Sequence, residues 1–384
     1  MDTSTNLLSV ADAEGVLSLV PHMLGFHPQN SMVLLVTTGV RLVATLRVDL
    51  PPEDASPAAA RRHARRCGRY LDEMTEASAA FIVTYSRSRV ASPDGQPPHG
   101  LLVRSVAEHL AQRSIAVPDA WHVGAGGWRS HFCTDLLCCP ADGHALESIW
   151  LSDANLELQF GGSSPGLDHW DGTTSAAWPG TVAVRDMVDS ITDGVVGSPE
   201  PSGFLRRWCD ALELEPDQAR KRLGGDPLET GILLAGLHDF SVRDVLPFAA
   251  GTTAAAGLSA VVTLDAGGEA PAALEEFLMG TAAAAPDWVR VDRLWDLGTS
   301  LLAAAQGEDR CALLCVLAWI EWARGRSSAA AALLDACLKG DPDYALAVGL
   351  KAFLDLGRLP GWARAPGTAW KRGAAPRDMP GAET

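Results

Sequence analysis

Three cysteines and two histidines fall within the fourteen residues HFCTDLLCCPADGH, from His131 to His144. Thiolates and neutral imidazoles are what a tetrahedral zinc takes, and two neighbouring cysteines can also close a disulfide. If TDLL is a four-residue hairpin connection, Cys133 stands across from Cys138 with Cβ atoms about 4.5–5.5 Å apart. Side chains alternate along a strand, so His131 shares the Cys133 face and Cys139 takes the opposite one. The ligand set this predicts is His131, Cys133, Cys138 and a returning His144. The spacing lacks the C-x2-C pairs of a zinc ribbon, and Leu136 and Leu137 predict a buried tip. Three readings follow in order: a packed hairpin with buried thiols, a zinc site, and a redox pair, with zinc possible but not favoured.

Two further groups could do chemistry. The turn GFHPQNS carries His27, and LRVDLP places Arg47 and Asp49 on one face of a strand. A His, an Arg and an Asp near strand ends are a candidate ligand-binding cluster, although an Arg–Asp pair two apart is more often a surface ion pair. In RRHARRCGRY, residues Arg61, Arg62, Arg65, Arg66 and Arg69 fall within an arc of about 140° on a helix. Five guanidiniums could hold an anion or an acidic partner, while a solvated face is the simpler reading.

Some apparent motifs fail on their own chemistry. Gly162, Ser164 and Gly166 match G-x-S-x-G, but Pro165 follows the serine and has no N–H for an oxyanion hole. The run from Gly124 to Gly127 is not followed by the helix a dinucleotide fingerprint needs, so a bulge or close backbone approach is expected there. The chain contains no Walker-type loop and no H-E-x-x-H.

The elements that must position these residues read as follows. A short helix over 11–24 precedes the His27 turn, and two strands then fold about Thr38-Gly39. A helix over 58–74, a buried strand ASAAFIVTYS, an amphipathic helix LLVRSVAEHLAQRSI and an extended DAWHVGAGGWRSHFC complete an alternating pattern. This predicts an α/β N-terminal domain over 1–150, with a mixed sheet because a hairpin is present. Residues 151–203 are dense in Gly, Ser, Pro and Trp and read as a linker or insertion. Residues 204–365 read as an all-α C-terminal domain with a tetratricopeptide-like helical hairpin at 312–339, and 366–384 as a flexible tail.

Composition narrows the partners. A net charge of −16 opposes a phosphate-binding surface, so nucleic acid is not an expected partner. The apolar run CALLCVLAWI is about half of a membrane span, and the acidic N-terminus has no basic leader region. These features predict a cytoplasmic protein without membrane insertion, whose eight cysteines are mostly free thiols. Five of them, Cys67, Cys209, Cys311, Cys315 and Cys337, sit in apolar helical stretches.

Several stretches together, PHMLGFHPQNSMVLLV, TLRVDLP, WRSHFCTDLLCCPADG, SVRDVL and LAWIEWARGRSSAAAALLDACLKGDPDYALA, resemble an actinobacterial family of unknown function, domain-of-unknown-function family 4192. The resemblance runs in order from Leu8 to about Pro360. It implies a bacterial cytoplasmic protein of a high-GC lineage, consistent with 27 arginines against four lysines, and carries over no catalytic or binding residue. The sequence ranks a non-catalytic protein-interaction or regulatory module first. The alternative is an enzyme or small-ligand-binding protein with a site at the strand ends of the N-terminal domain. Neither partner, enzymatic activity nor oligomeric state is written in these residues.

Overall fold

The computed structural model describes residues 12–71, 74, 76–90, 96–160, 165, 177–364 and 367–370. The chain divides into two compact units, 1–169 and 170–384. The G-x-S-x-G residues Gly162, Ser164 and Gly166 lie outside the described residues, as do most of 161–176 and the tail beyond 370.

The first unit begins with α1 (Ala13–Leu24), started by the Asp12 side chain accepting from the Gly15 N–H at 2.8 Å. Gly25 ends it at φ +83°, a left-handed stop that favours glycine. β1 (Ser31–Thr38) and β2 (Arg41–Asp49) form the expected antiparallel hairpin, with a register shift between Val36 and Thr37. α2 (Pro57–Leu71) follows, then β3 (Ala79–Tyr85), α3 (Gly100–Ala111), β4 (Ala120–Gly124) and β5 (Gly127–Ser130). Two short helices complete the unit, α4 (Glu147–Trp150) and α5 (Asp153–Phe160).

The sheet order is β2-β1-β3-β4-β5, with β3 and β4 parallel across the α3 crossover and the other neighbours antiparallel. Alternation sorts the strand residues between two cores. Met32, Leu34, Ile82 and Ala120 face α2 and α3. Val33, Leu35, Val83, Tyr85 and Trp121 face the layer of α1 and Ile149. On α2, Ala60, Ala64, Cys67 and Leu71 turn inward, as the spacing of its arginines requires. Gly68 lies where α2 meets α3, and a Cβ there would overlap the His109 ring.

Two expectations fail around the cysteines. Strand β5 stops at Ser130, so Cys133 and Cys138 are not hairpin neighbours. Leu136 and Leu137 are 61% and 95% exposed, the reverse of a buried tip. The reason is local: side-chain oxygens of Ser130 and Asp135 accept the backbone N–H groups of Phe132, Cys133 and Leu137, competing with a strand ladder.

The second unit is helical throughout its described residues. It runs through α6 (Thr181–Thr192), α7 (Pro201–Leu212), α8 (Pro216–Gly224), α9 (Pro227–Gly236), α10 (Phe240–Gly251) and α11 (Ala254–Asp265). It continues through α12 (Ala272–Leu278), α13 (Trp288–Leu301), α14 (Gly307–Ala323), α15 (Ser327–Gly340) and α16 (Ala345–Asp355). Helices therefore occur on both sides of the break inside the 151–203 span, α5 before it and α6 after it. α14 packs on α15 through a turn in which Gly325 has φ +78°, and α15 packs in turn on α16. No helix among the described residues is long and apolar enough to cross a membrane.

Candidate functional site

On the α1 side of the sheet the first unit forms a half-open cavity of about 460 Å³. Helix α1 supplies Leu17, Pro21 and His22, the turn after it supplies His27, and β3 ends in the cavity with Tyr85. The far wall comes from Ile149 of α4 and from Asn155 and Gln159 of α5. No Asp, Glu, Lys or Arg lines it among the described residues.

The polar groups are held in fixed directions. Asn155 donates from Nδ2 to the Trp150 carbonyl at 2.6 Å, which leaves its Oδ1 facing His22 Nε2 at 2.9 Å. An amide oxygen only accepts, so Nε2 of His22 is the donor. His27 is half-buried, and burial followed by the nearby His22 lowers its pKa, keeping the imidazole neutral at neutral pH. Burial pushes the Tyr85 phenol up, so it stays protonated. Its hydroxyl is buried with no hydrogen-bond partner among the described residues. A buried, permanently protonated donor beside an apolar cavity can satisfy itself with an acceptor carried by a ligand.

The opposite face carries a second polar group. Thr84 of β3 pairs in register with His122 of β4, both facing α3 and completely buried. The Thr84 hydroxyl lies 3.3 Å from the Trp121 carbonyl, 3.0 Å from His122 Nδ1 and 3.2 Å from His131 Nε2. A carbonyl cannot donate, so all three bonds form together only if Thr84 donates to Trp121 and both imidazoles donate to Thr84. Nε2 of neutral His122 is then a bare lone pair, buried without a partner among the described residues. Burial and the neighbouring His99 hold His122 down at about 4, and burial with His122, His99 and Arg104 holds His131 down at about 3.

The residues singled out in the sequence are only partly brought together. His27 lines the cavity, but Arg47 and Asp49 do not. Arg47 forms an ion pair with Asp49 at 2.9 Å and donates to Ser31 Oγ at 3.0 Å, tying edge strand β2 to the start of β1. The five arginines of α2 are exposed along its outer face, with Arg66 Nε 3.3 Å from the Tyr70 hydroxyl. Of the predicted metal set, His131 is engaged with Thr84, and His144 stacks on Trp128 with ring centroids 4.3 Å apart. Cys133 and Cys138 do converge, but with Cys139 as the third member, contrary to the alternation expected of a strand. His22, Tyr85 and Asn155 escaped sequence reasoning; a polar ring closing the apolar run FIVTY was the one available hint of them.

Residues 14–360 match the family described as domain of unknown function DUF4192. The chain belongs to this family. The DUF4192 match includes α1, the sheet and the helices through α16, and therefore most of both units. No curated protein and no solved structure matches the chain significantly.

Proposed function

We propose that the first unit binds a small, uncharged, largely apolar molecule that presents a hydrogen-bond acceptor to Tyr85. The observation that carries this reading is the buried, unpartnered Tyr85 hydroxyl on a cavity wall. The size supports it, since small-molecule sites run from about 300 to 1,000 Å³. So does the absence of formal charge from the described lining, which disfavours phosphates, carboxylates and metal ions as occupants. With one donor and two imidazoles on apolar walls, the ligand that fits is a flat ring or short chain bearing a carbonyl, ether or ring nitrogen.

The test is to purify the full chain from its native host, denature it and identify the released small molecules by mass spectrometry. A neutral compound recovered in near-stoichiometric amount, and lost when Val123→Trp fills the cavity, supports the reading. A stoichiometric protein partner recovered with no small molecule turns the function toward the interaction module that the sequence ranked first.

A further inference from the structure

The loop after β5 is closed at both ends by backbone. The His131 N–H donates to the Ala120 carbonyl at 2.7 Å, and Trp128 and His144 form a bridge. Within it, Ser130 Oγ accepts from Phe132 and Cys133 at 3.0 and 3.1 Å and donates to Asp119 at 2.7 Å. The Asp135 carbonyl accepts from the Cys139 N–H at 2.7 Å. These bonds fold the chain back until the sulfurs of Cys133, Cys138 and Cys139 all lie within 4.8 Å of one another. The apolar side chains of the loop go the other way: Phe132, Leu136 and Leu137 are exposed. What converges inside the loop is thus a set of thiols rather than a hydrophobic core, and loops of this kind are commonly stapled by a metal or a disulfide.

We propose that Cys133, Cys138 and Cys139 bind one thiophilic divalent cation of the zinc class, with three sulfur ligands and a fourth position open to water. Two sulfurs at about 2.3 Å from one zinc stand about 3.8 Å apart in a tetrahedron, within reach of the observed cluster. Exposure is graded to suit an open position, since Cys139 is 4% exposed whereas Cys138 faces solvent. The hydrogen bond to Cys133 raises the Cys138 thiol, and burial followed by Cys133 pushes Cys139 up to about 12. Binding exchanges the S–H protons for S–metal bonds, so that three thiols and one dication yield a tri-thiolate complex and three protons, with no redox change. The site is separate from the cavity and stands or falls independently of it.

The experiment uses the full chain, expressed with added zinc and purified without oxygen, followed by elemental analysis and replacement of the ion by cobalt(II). The expected result is about one zinc per chain and a sulfur-to-cobalt charge-transfer band. Affinity should fall about 100-fold or more in each of Cys133→Ser, Cys138→Ser and Cys139→Ser, but not in His144→Gln. Circular dichroism of each variant in chelator, matched to the chelated parent, separates loss of a ligand from loss of fold. Eight free thiols with no bound metal, a disulfide joining Cys133 to Cys138 or Cys139, or full zinc retention by Cys139→Ser would each overturn the proposal.

Discussion

Acidification is expected to destabilise the first unit through His122 and His131. Both are held neutral in the fold, at about 4 and about 3, against 6.5 for a solvated imidazole. Their folded pKa lies below the unfolded one. As pH falls below 6.5, the unfolded chain takes up protons that the folded chain refuses, and stability drops with it. Near pH 5 an unfolded histidine is almost fully charged while buried His122 is about one-tenth charged, and integrating the linkage relation yields about 2 kcal/mol lost from this residue. His131 contributes about as much again, but the two rings repel when charged, so about 4 kcal/mol is a ceiling for the pair. Burial also lowers His27, His63 and His99, and these act in the same direction.

Denaturant unfolding between about pH 8 and pH 4.5 supplies the assay, with hydrogen exchange of peptides from β3, β4 and β5 locating the loss. The double variant His122→Gln with His131→Gln removes both titrations and should flatten the profile by at least about 2 kcal/mol. A parent whose stability is level from pH 7 to 5, or a double variant that keeps the parent slope, would refute the reasoning. Either result would mean that water reaches Thr84 and its partners.

Other changes have expected outcomes of their own. Tyr85→Phe should weaken the cavity's ligand by about 5- to 100-fold, read by calorimetry, while leaving the free protein as stable or slightly more so, because a buried unpaired hydroxyl is removed. Glu321→Ala leaves Arg324, 4% exposed and paired to it at 2.8 Å, short of one counter-charge, and should cost about 3 kcal/mol by urea unfolding, with Asp292 limiting the damage. Gly257→Ala should cost about 1–3 kcal/mol despite its better helix propensity, because a Cβ there would overlap Ala249 where α11 meets α10. A midpoint unchanged in thermal unfolding would show that these helices separate freely.

What the sequence conveyed was the part of the molecule written in periodicity. Short apolar runs in SMVLLVTT and AAFIVTY, the glycine at position 39 and the one-sided arginines of α2 lead to a mixed sheet with helices, because each is decided by neighbours a few residues away. The cavity could not be read the same way. His22 and Asn155 meet across 133 positions, and nothing local to either residue announces the other. The cysteine loop failed for the opposite reason, since the controlling interactions were local but unrecognised: Ser130 and Asp135 offered the backbone a better partner than a second strand. Sequence reasoning also grouped Arg47 with His27 by proximity to strand ends, whereas edge strand β2 uses that arginine to bind its own hairpin. The signal with the widest reach was a polar residue at a position that pattern alone assigns to the core. Thr84 and Tyr85 adjoin at the end of β3 and point to opposite faces, one toward the histidine network and the other toward the cavity. A strand that ends in two such residues, buried on both sides, marks where packing has given way to chemistry on each face of the sheet.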